Sequence, residues 1–139
     1  MKRHIKVFAL LVTIMVCSCD PDDPSGPTLQ EEAFAALAGD WAFGATGSIV
    51  LDGQDVSLNF PGFNLSFADG TYQTNNGGDL FNATGTWEWV NENAQQLILD
   101  TEEEVTIVTL TENLFEFSFF HNGNSVSGIQ GNYVINVVK

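Results

Sequence analysis

The chain is short of cations, cysteines and histidines, and each shortage closes off a class of function. Four Lys and Arg stand against 18 Asp and Glu in 139 residues, a formal net charge of −14. Lys2, Arg3 and Lys6 lie in the first six residues, and the fourth cation is Lys139. The long stretch between them has no Lys or Arg, so it cannot hold nucleic-acid phosphates by counterion release. It also lacks the Arg and Lys clamps that phosphoryl transfer needs. No Gly-rich phosphate loop follows a strand and opens a helix; Gly77-Gly78 reads as a turn. Cys17 and Cys19, the only cysteines, are two residues apart, and a disulfide closing so short a loop is strained and constrains almost nothing. The remainder has the length of one domain, and its 44% hydrophobic content fits a globular chain rather than a disordered one.

The N-terminal cations precede a single apolar run, Val7 to Val16, interrupted only by Thr13. At about 1.5 Å per residue this run spans roughly half of a ~30 Å hydrocarbon core, so it reads as a signal-peptide segment and not a membrane span. A buried core helix would put three cations at the helix N-terminus, where the dipole disfavours them. The sequence Val16-Cys17-Ser18-Cys19 resembles a bacterial lipoprotein box, in which a small residue precedes the acylated cysteine. Ser18 before Cys19 suits that box better than Val16 before Cys17. The resemblance implies a signal peptide over residues 1–18, a membrane anchor through acyl chains such as palmitate on Cys19, and loss of Cys17 with the signal. Three acyl chains, at about 0.8 kcal/mol per buried CH₂, make such attachment effectively permanent.

Residues 19–27 continue as Asp20-Pro21-Asp22-Asp23-Pro24-Ser25-Gly26-Pro27, an extended acidic tether that cannot fold alone. This run is similar to the acidic surface-export signal of Bacteroidota lipoproteins. The competing reading takes Asp20 as an inner-membrane retention residue. Calcium binding here is disfavoured because no Gly-turned loop gathers the oxygens. The expectation is an outer-membrane, lipid-anchored protein exposed on the cell surface. Without residues 1–18, all 18 acids face one lysine, a net charge of −17 that repels anionic surface glycans.

Residues 28–139 read as an all-β domain preceded by one short helix. Thr28 and Glu31 have capping-box spacing, Phe34 and Leu37 share an apolar face, and Gly39 supplies the stop. From Trp41 onward the apolar period changes to two. Val56, Leu58 and Phe60 alternate with polar residues, as do Phe63, Leu65 and Phe67, Trp87 and Trp89, and Phe115, Phe117 and Phe119. Turn signals separate these runs, among them Asp52-Gly53, Pro61-Gly62, Asp69-Gly70 and Asn122-Gly123. About eight or nine short strands predict an antiparallel up-and-down barrel, with a β-sandwich as the alternative. Fourteen of the 16 aromatics lie at or beyond Trp41, enough for a core that needs no disulfide.

Three segments carry a family resemblance: Leu37-Ala38-Gly39-Asp40-Trp41, Phe67 to Tyr72 followed by Gly85-Thr86-Trp87, and Val105 to Leu114. The first resembles the lipocalin entry motif, a short helix running into Gly-x-Trp with Gly39 and Trp41 as its structural residues. The others look like the lipocalin-like lipoprotein domains of Bacteroidota. The resemblance covers about residues 36–120 and implies a small barrel with Trp41 plugging its closed end. Two features depart from it. Lipocalins carry an Arg on the last strand, stacked over that Trp, and this chain has none after Arg3. They also carry a helix after the barrel, whereas Gly131 to Lys139 reads as a strand.

Little here points to catalysis. His121, beside Asn122-Gly123, reads as a solvated turn residue. Beyond residue 18 the only His and Cys are His121 and Cys19, too few for a zinc site built from those ligands. Asp100, Glu102, Glu103 and Glu104 read as a solvated hairpin loop, with weak Ca²⁺ binding as the alternative; Asn75 to Asp79 is a second oxygen-rich loop. A glycosidase needs only two carboxylates, but alternation turns Glu88 and Glu116 to the wet face. Trp87, Trp89, Phe115, Phe117 and Phe119 either fill the core or line a pocket for an apolar ligand. Phe120 breaks the alternation and is the candidate partner-contact residue.

The functional expectation is a non-enzymatic, surface-anchored lipoprotein with no cofactor and no metal, whose barrel binds a small apolar ligand. The alternative is a structural or interaction lipoprotein with a filled barrel, serving an outer-membrane assembly or host contact. A dry void above about 300 Å³ separates the two.

Overall fold

The computed structural model describes residues 26–78, 80–123 and 128–139. The signal segment, Cys19 and most of the tether lie outside the described residues. The first element is α1 (Leu29–Leu37). The Thr28 side chain accepts from the Glu31 N–H at 3.2 Å while Glu31 accepts from the Thr28 N–H at 2.7 Å, closing the predicted capping box. Leu37 is buried, and Gly39 at φ +117° turns the chain out of the helix into the first strand.

Among the described residues ten antiparallel strands follow: β1 (Gly39–Ala42), β2 (Ser48–Leu51), β3 (Gln54–Asp55), β4 (Asn64–Ala68), β5 (Thr71–Asn75), β6 (Thr84–Trp89), β7 (Gln96–Leu99), β8 (Glu104–Leu110), β9 (Leu114–His121) and β10 (Gly131–Val138). Their order is β1-β4-β5-β6-β7-β8-β9-β10, and β1 pairs back onto β10, so eight strands form a closed antiparallel barrel. The expected barrel is therefore present, and the sandwich is not. Closure leaves no open edge along the ring.

The first barrel strand is interrupted. Ala42 faces Val138 and Ser48 faces Asn136, an advance of six residues on one side against two on the other. The excess is absorbed by the Phe43–Gly47 loop, whose ends are joined by the Gly47 N–H to the Phe43 carbonyl at 2.6 Å. β2 thus continues along β10 and turns back as a hairpin with β3 through Asp52 and Gly53, both at positive φ.

One predicted strand is absent. The Val56–Phe60 alternation forms a 3₁₀ turn, Ser57–Asn59, and Leu58 is 96% exposed. Local polar bonds win there. The Ser57 hydroxyl donates to Asp55 Oδ1 at 2.5 Å and accepts from the Ile49 N–H at 2.9 Å, offering the backbone an alternative to a ladder. The Ser57 hydroxyl and N–H together hold the Asp55 carboxyl below its usual range.

Trp41 is fully buried at the helix end of the barrel and donates its indole N–H to the Leu37 carbonyl at 2.8 Å. A cation does stand over Trp41. The Lys139 ammonium stands 4.5 Å from the Trp41 ring centroid and donates to the Ala36 carbonyl at 2.6 Å. One alkylammonium therefore joins the last strand, the entry Trp and the last turn of α1, where a cation complements the helix dipole. Replacing Lys139 with Ala is expected to lower unfolding stability by about 1 kcal/mol in denaturant titration, and Lys139→Arg to retain most of it.

Candidate functional site

Alternation along each strand decides what the barrel encloses. In β9, Phe115, Phe117 and Phe119 point inward with 0–4% exposure, and Leu114, Glu116, Ser118 and Phe120 point outward. The inward rings form a column. Trp41 meets Phe115 at 5.6 Å, Phe115 stacks on Phe117 at 4.5 Å, Phe117 on Phe119 at 6.2 Å, and Phe119 on Tyr133 at 5.5 Å. Phe67 and Phe81 pack against it from the side. Inside the barrel, Leu65, Phe67, Tyr72, Phe81, Leu97 and Phe117 bound an apolar void of about 10 Å³. Pockets for small molecules run to about 300–1,000 Å³. Of the five aromatics expected either to fill the core or to line a pocket, Phe115, Phe117, Phe119 and Trp87 are core, and among the described residues the inward rings leave no ligand-sized cavity between them.

Trp87 and Trp89 sit where the barrel meets the helix. Trp87 is buried, donates its indole N–H to the Ala68 and Thr71 carbonyls at 2.9 and 3.1 Å, and packs edge-on to Trp89 at 5.1 Å. Phe34 of α1 covers Trp87 at 6.0 Å. Together with Glu31, Asp69 and Glu88 these rings line an open groove of about 430 Å³ beneath the start of α1.

His121 is a correction to the turn reading. It is the last residue of β9, fully buried, and its Nδ1 lies 2.5 Å from Glu103 Oε1. Glu103, expected in a solvated loop, is only 5% exposed, and Thr101 donates to its other oxygen at 3.3 Å. The parity that turns Phe115, Phe117 and Phe119 inward also reaches His121, and that of Val105 reaches Glu103. Period two runs one step further than the apolar residues that reveal it. Tyr133 caps the imidazole edge-on at 6.2 Å, and His121 Nε2 is buried without a hydrogen-bond partner.

A second polar contact crosses the barrel wall. Tyr72 donates to Asp100 Oδ1 at 2.9 Å, and the Asn82 amide donates to Asp100 Oδ2 at 3.2 Å. Gly85 makes this possible, because a Cβ there would collide with both the Asp100 carboxylate and the Tyr72 ring. Burial pushes the Tyr72 phenol well above its usual range, and the Asp100 carboxylate adds to the shift.

On the outer face Phe120 is 45% exposed, as expected from its break in alternation. It shares a shallow concavity of about 580 Å³ with Glu102, Glu104, Thr106, Asn132 and Val134. Glu88 is exposed as predicted, and Glu116 is half-buried, accepting from the Asn136 amide at 3.1 Å. Among the described residues no three His, Cys, Asp or Glu side chains gather closely enough to hold a metal ion.

Leaving a buried polar group without its hydrogen-bond partner typically costs about 1–3 kcal/mol. Glu103→Ala is expected to approach that loss in denaturant titration, and Glu103→Gln, which keeps an acceptor for His121 Nδ1, to lose less. The raised Tyr72 phenol carries its own pH signature. Its stabilising contribution is complete below about pH 10, where the unfolded chain's tyrosine is still protonated, and declines as pH rises beyond that point. A stability-versus-pH series on Tyr72→Phe should fall less steeply above pH 10 than that of the parent chain. No protein-family model matches this chain, and no curated protein is similar to it in sequence.

Proposed function

We propose that the protein is a lipid-anchored, non-enzymatic interaction lipoprotein whose barrel is a rigid, filled head. The observation that carries this reading is the interior void of about 10 Å³, room for no more than about one water-sized probe. Between the two expectations drawn from the sequence, a filled barrel favours the interaction role over carriage of a small apolar ligand. An exposed aromatic on the outer face supports it further, since Phe120 and Val134 share one concavity with polar neighbours.

Anchoring is argued from the sequence. The basic start, the ten-residue apolar run and Ser18-Cys19 suit export and acylation, and Asp20 to Pro27 suits a tether holding the head off the outer membrane. A net charge of −17 keeps such a head soluble beside a bilayer.

Labelling cells with a radioactive fatty acid should mark the protein, and Cys19→Ser should abolish the label while Cys17→Ser leaves it. Protease added to intact cells should cleave it; an uncut protein would place it on the inner side of the membrane. Apolar fluorophores should show no saturable binding, and native mass spectrometry should find no co-purifying ligand. A stoichiometric apolar ligand would overturn the interaction reading in favour of a carrier.

A further inference from the structure

The groove beneath α1 has a composition that neither a filled barrel nor a lipid anchor accounts for. Phe34, Trp87 and Trp89 meet there ring to ring, and Glu31, Asp69 and Glu88 stand around them. We propose that this groove binds an organic ammonium cation, seated on the aromatic surface and neutralised by the surrounding carboxylates.

Electrostatics selects the ligand class. The faces of aromatic rings carry negative quadrupole density, which attracts ammonium groups and does so best at Trp. The three carboxylates repel anions and leave a neutral ligand without compensation. Glu31 is engaged by the Thr28 N–H, but no Lys or Arg neutralises Asp69 and Glu88: Lys139 is the only Lys or Arg beyond Lys6, and it is held at Trp41 and the Ala36 carbonyl. The Lys139–Trp41 contact is the same chemistry, alkylammonium on indole, already used once inside this molecule.

Geometry excludes the nearest rival, a bare divalent ion. Ca²⁺ takes 6–8 oxygens converging at short range, and no three acids converge among the described residues. Carboxylates spread around an aromatic surface suit a diffuse, weakly hydrated cation instead. The preceding segment carries Asp20, Asp22 and Asp23, whose like charge opposes occupation of this groove by the chain itself.

The groove is also held in shape beforehand. Trp87 is fixed by two hydrogen bonds to the β4–β5 turn, and the Gln30 amide of α1 donates to the Asn91 carbonyl at 3.0 Å. Little ordering is left for a ligand to impose, so contact energy appears as affinity. A volume of about 430 Å³ lies in the range of small-molecule sites. The proposal is independent of the barrel interior and would survive the discovery of a carried ligand.

The test is a tryptophan-fluorescence titration of the intact chain in detergent with choline chloride, against sodium chloride at equal ionic strength. The uncharged isostere 3,3-dimethyl-1-butanol and Nα-acetyl-lysine amide form two further arms. A saturable change with choline is expected, with binding of the isostere about tenfold weaker or more. Asp69 and Glu88 are exposed, so Asp69→Asn with Glu88→Gln leaves packing intact and should weaken choline by a similar factor. Choline alone binding identifies a free quaternary amine as the ligand; equal binding of the lysine amide extends the site to lysine side chains. The proposal is overturned if choline does no more than sodium, if the isostere binds as well, or if the double variant is unaffected.

Discussion

The aromatic column along the barrel axis is the contact on which the rest of the structure depends. Trp41, Phe115, Phe117, Phe119 and Tyr133 touch in sequence from the helix end toward the far loops, and His121 ends the line against Tyr133. Each large ring buries about 150–250 Å², so a domain without a disulfide obtains its stability from side-chain volume at its centre. The same volume removes the cavity that barrels of this strand number can otherwise keep.

Filling the centre leaves the remaining aromatic and charged groups on the outside. Chemistry-bearing groups then appear where strands end or where the helix leaves the wall: Phe120 on the β9 outer face, and Trp87 and Trp89 beneath α1. At the helix end, Lys139 ties the last strand to the entry Trp and to α1, closing the ring both by a β1–β10 pairing and by a cation. At the other end polar crossings do similar work. The His121–Glu103 pair joins β9 to the β7–β8 connection, and Tyr72 reaches Asp100 over the space that Gly85 leaves empty.

Much of this was legible along the chain because closed antiparallel barrels write their inside and outside in period two. The capping box at Thr28 and Glu31, the Gly39 stop, the inward Phe115-Phe117-Phe119 set and the outward Phe120 all follow from local spacing. The misreadings have local causes as well. Val56, Leu58 and Phe60 have strand spacing, but hydrogen bonds of Asp55 and Ser57 curl the segment into a 3₁₀ turn and leave Leu58 in solvent. The Asn122-Gly123 turn signal and the acidic hairpin run place His121 and Glu103 in solvent, although their parity points inward. A polar side chain can follow the alternation only if a partner waits across the barrel, and adjacent sequence does not supply one.

By itself, then, the sequence determined the acidity, the helix start and the β-barrel class, because these depend on composition and on spacings within a few residues. Only the tertiary structure decided that the barrel is full, that Lys139 stands over Trp41, and that three rings and three carboxylates share one groove. Those are distances between residues up to 98 positions apart, as with Trp41 and Lys139. They are set by strand register and by the volume of side chains meeting across the axis, and neither is a property of any short stretch of chain.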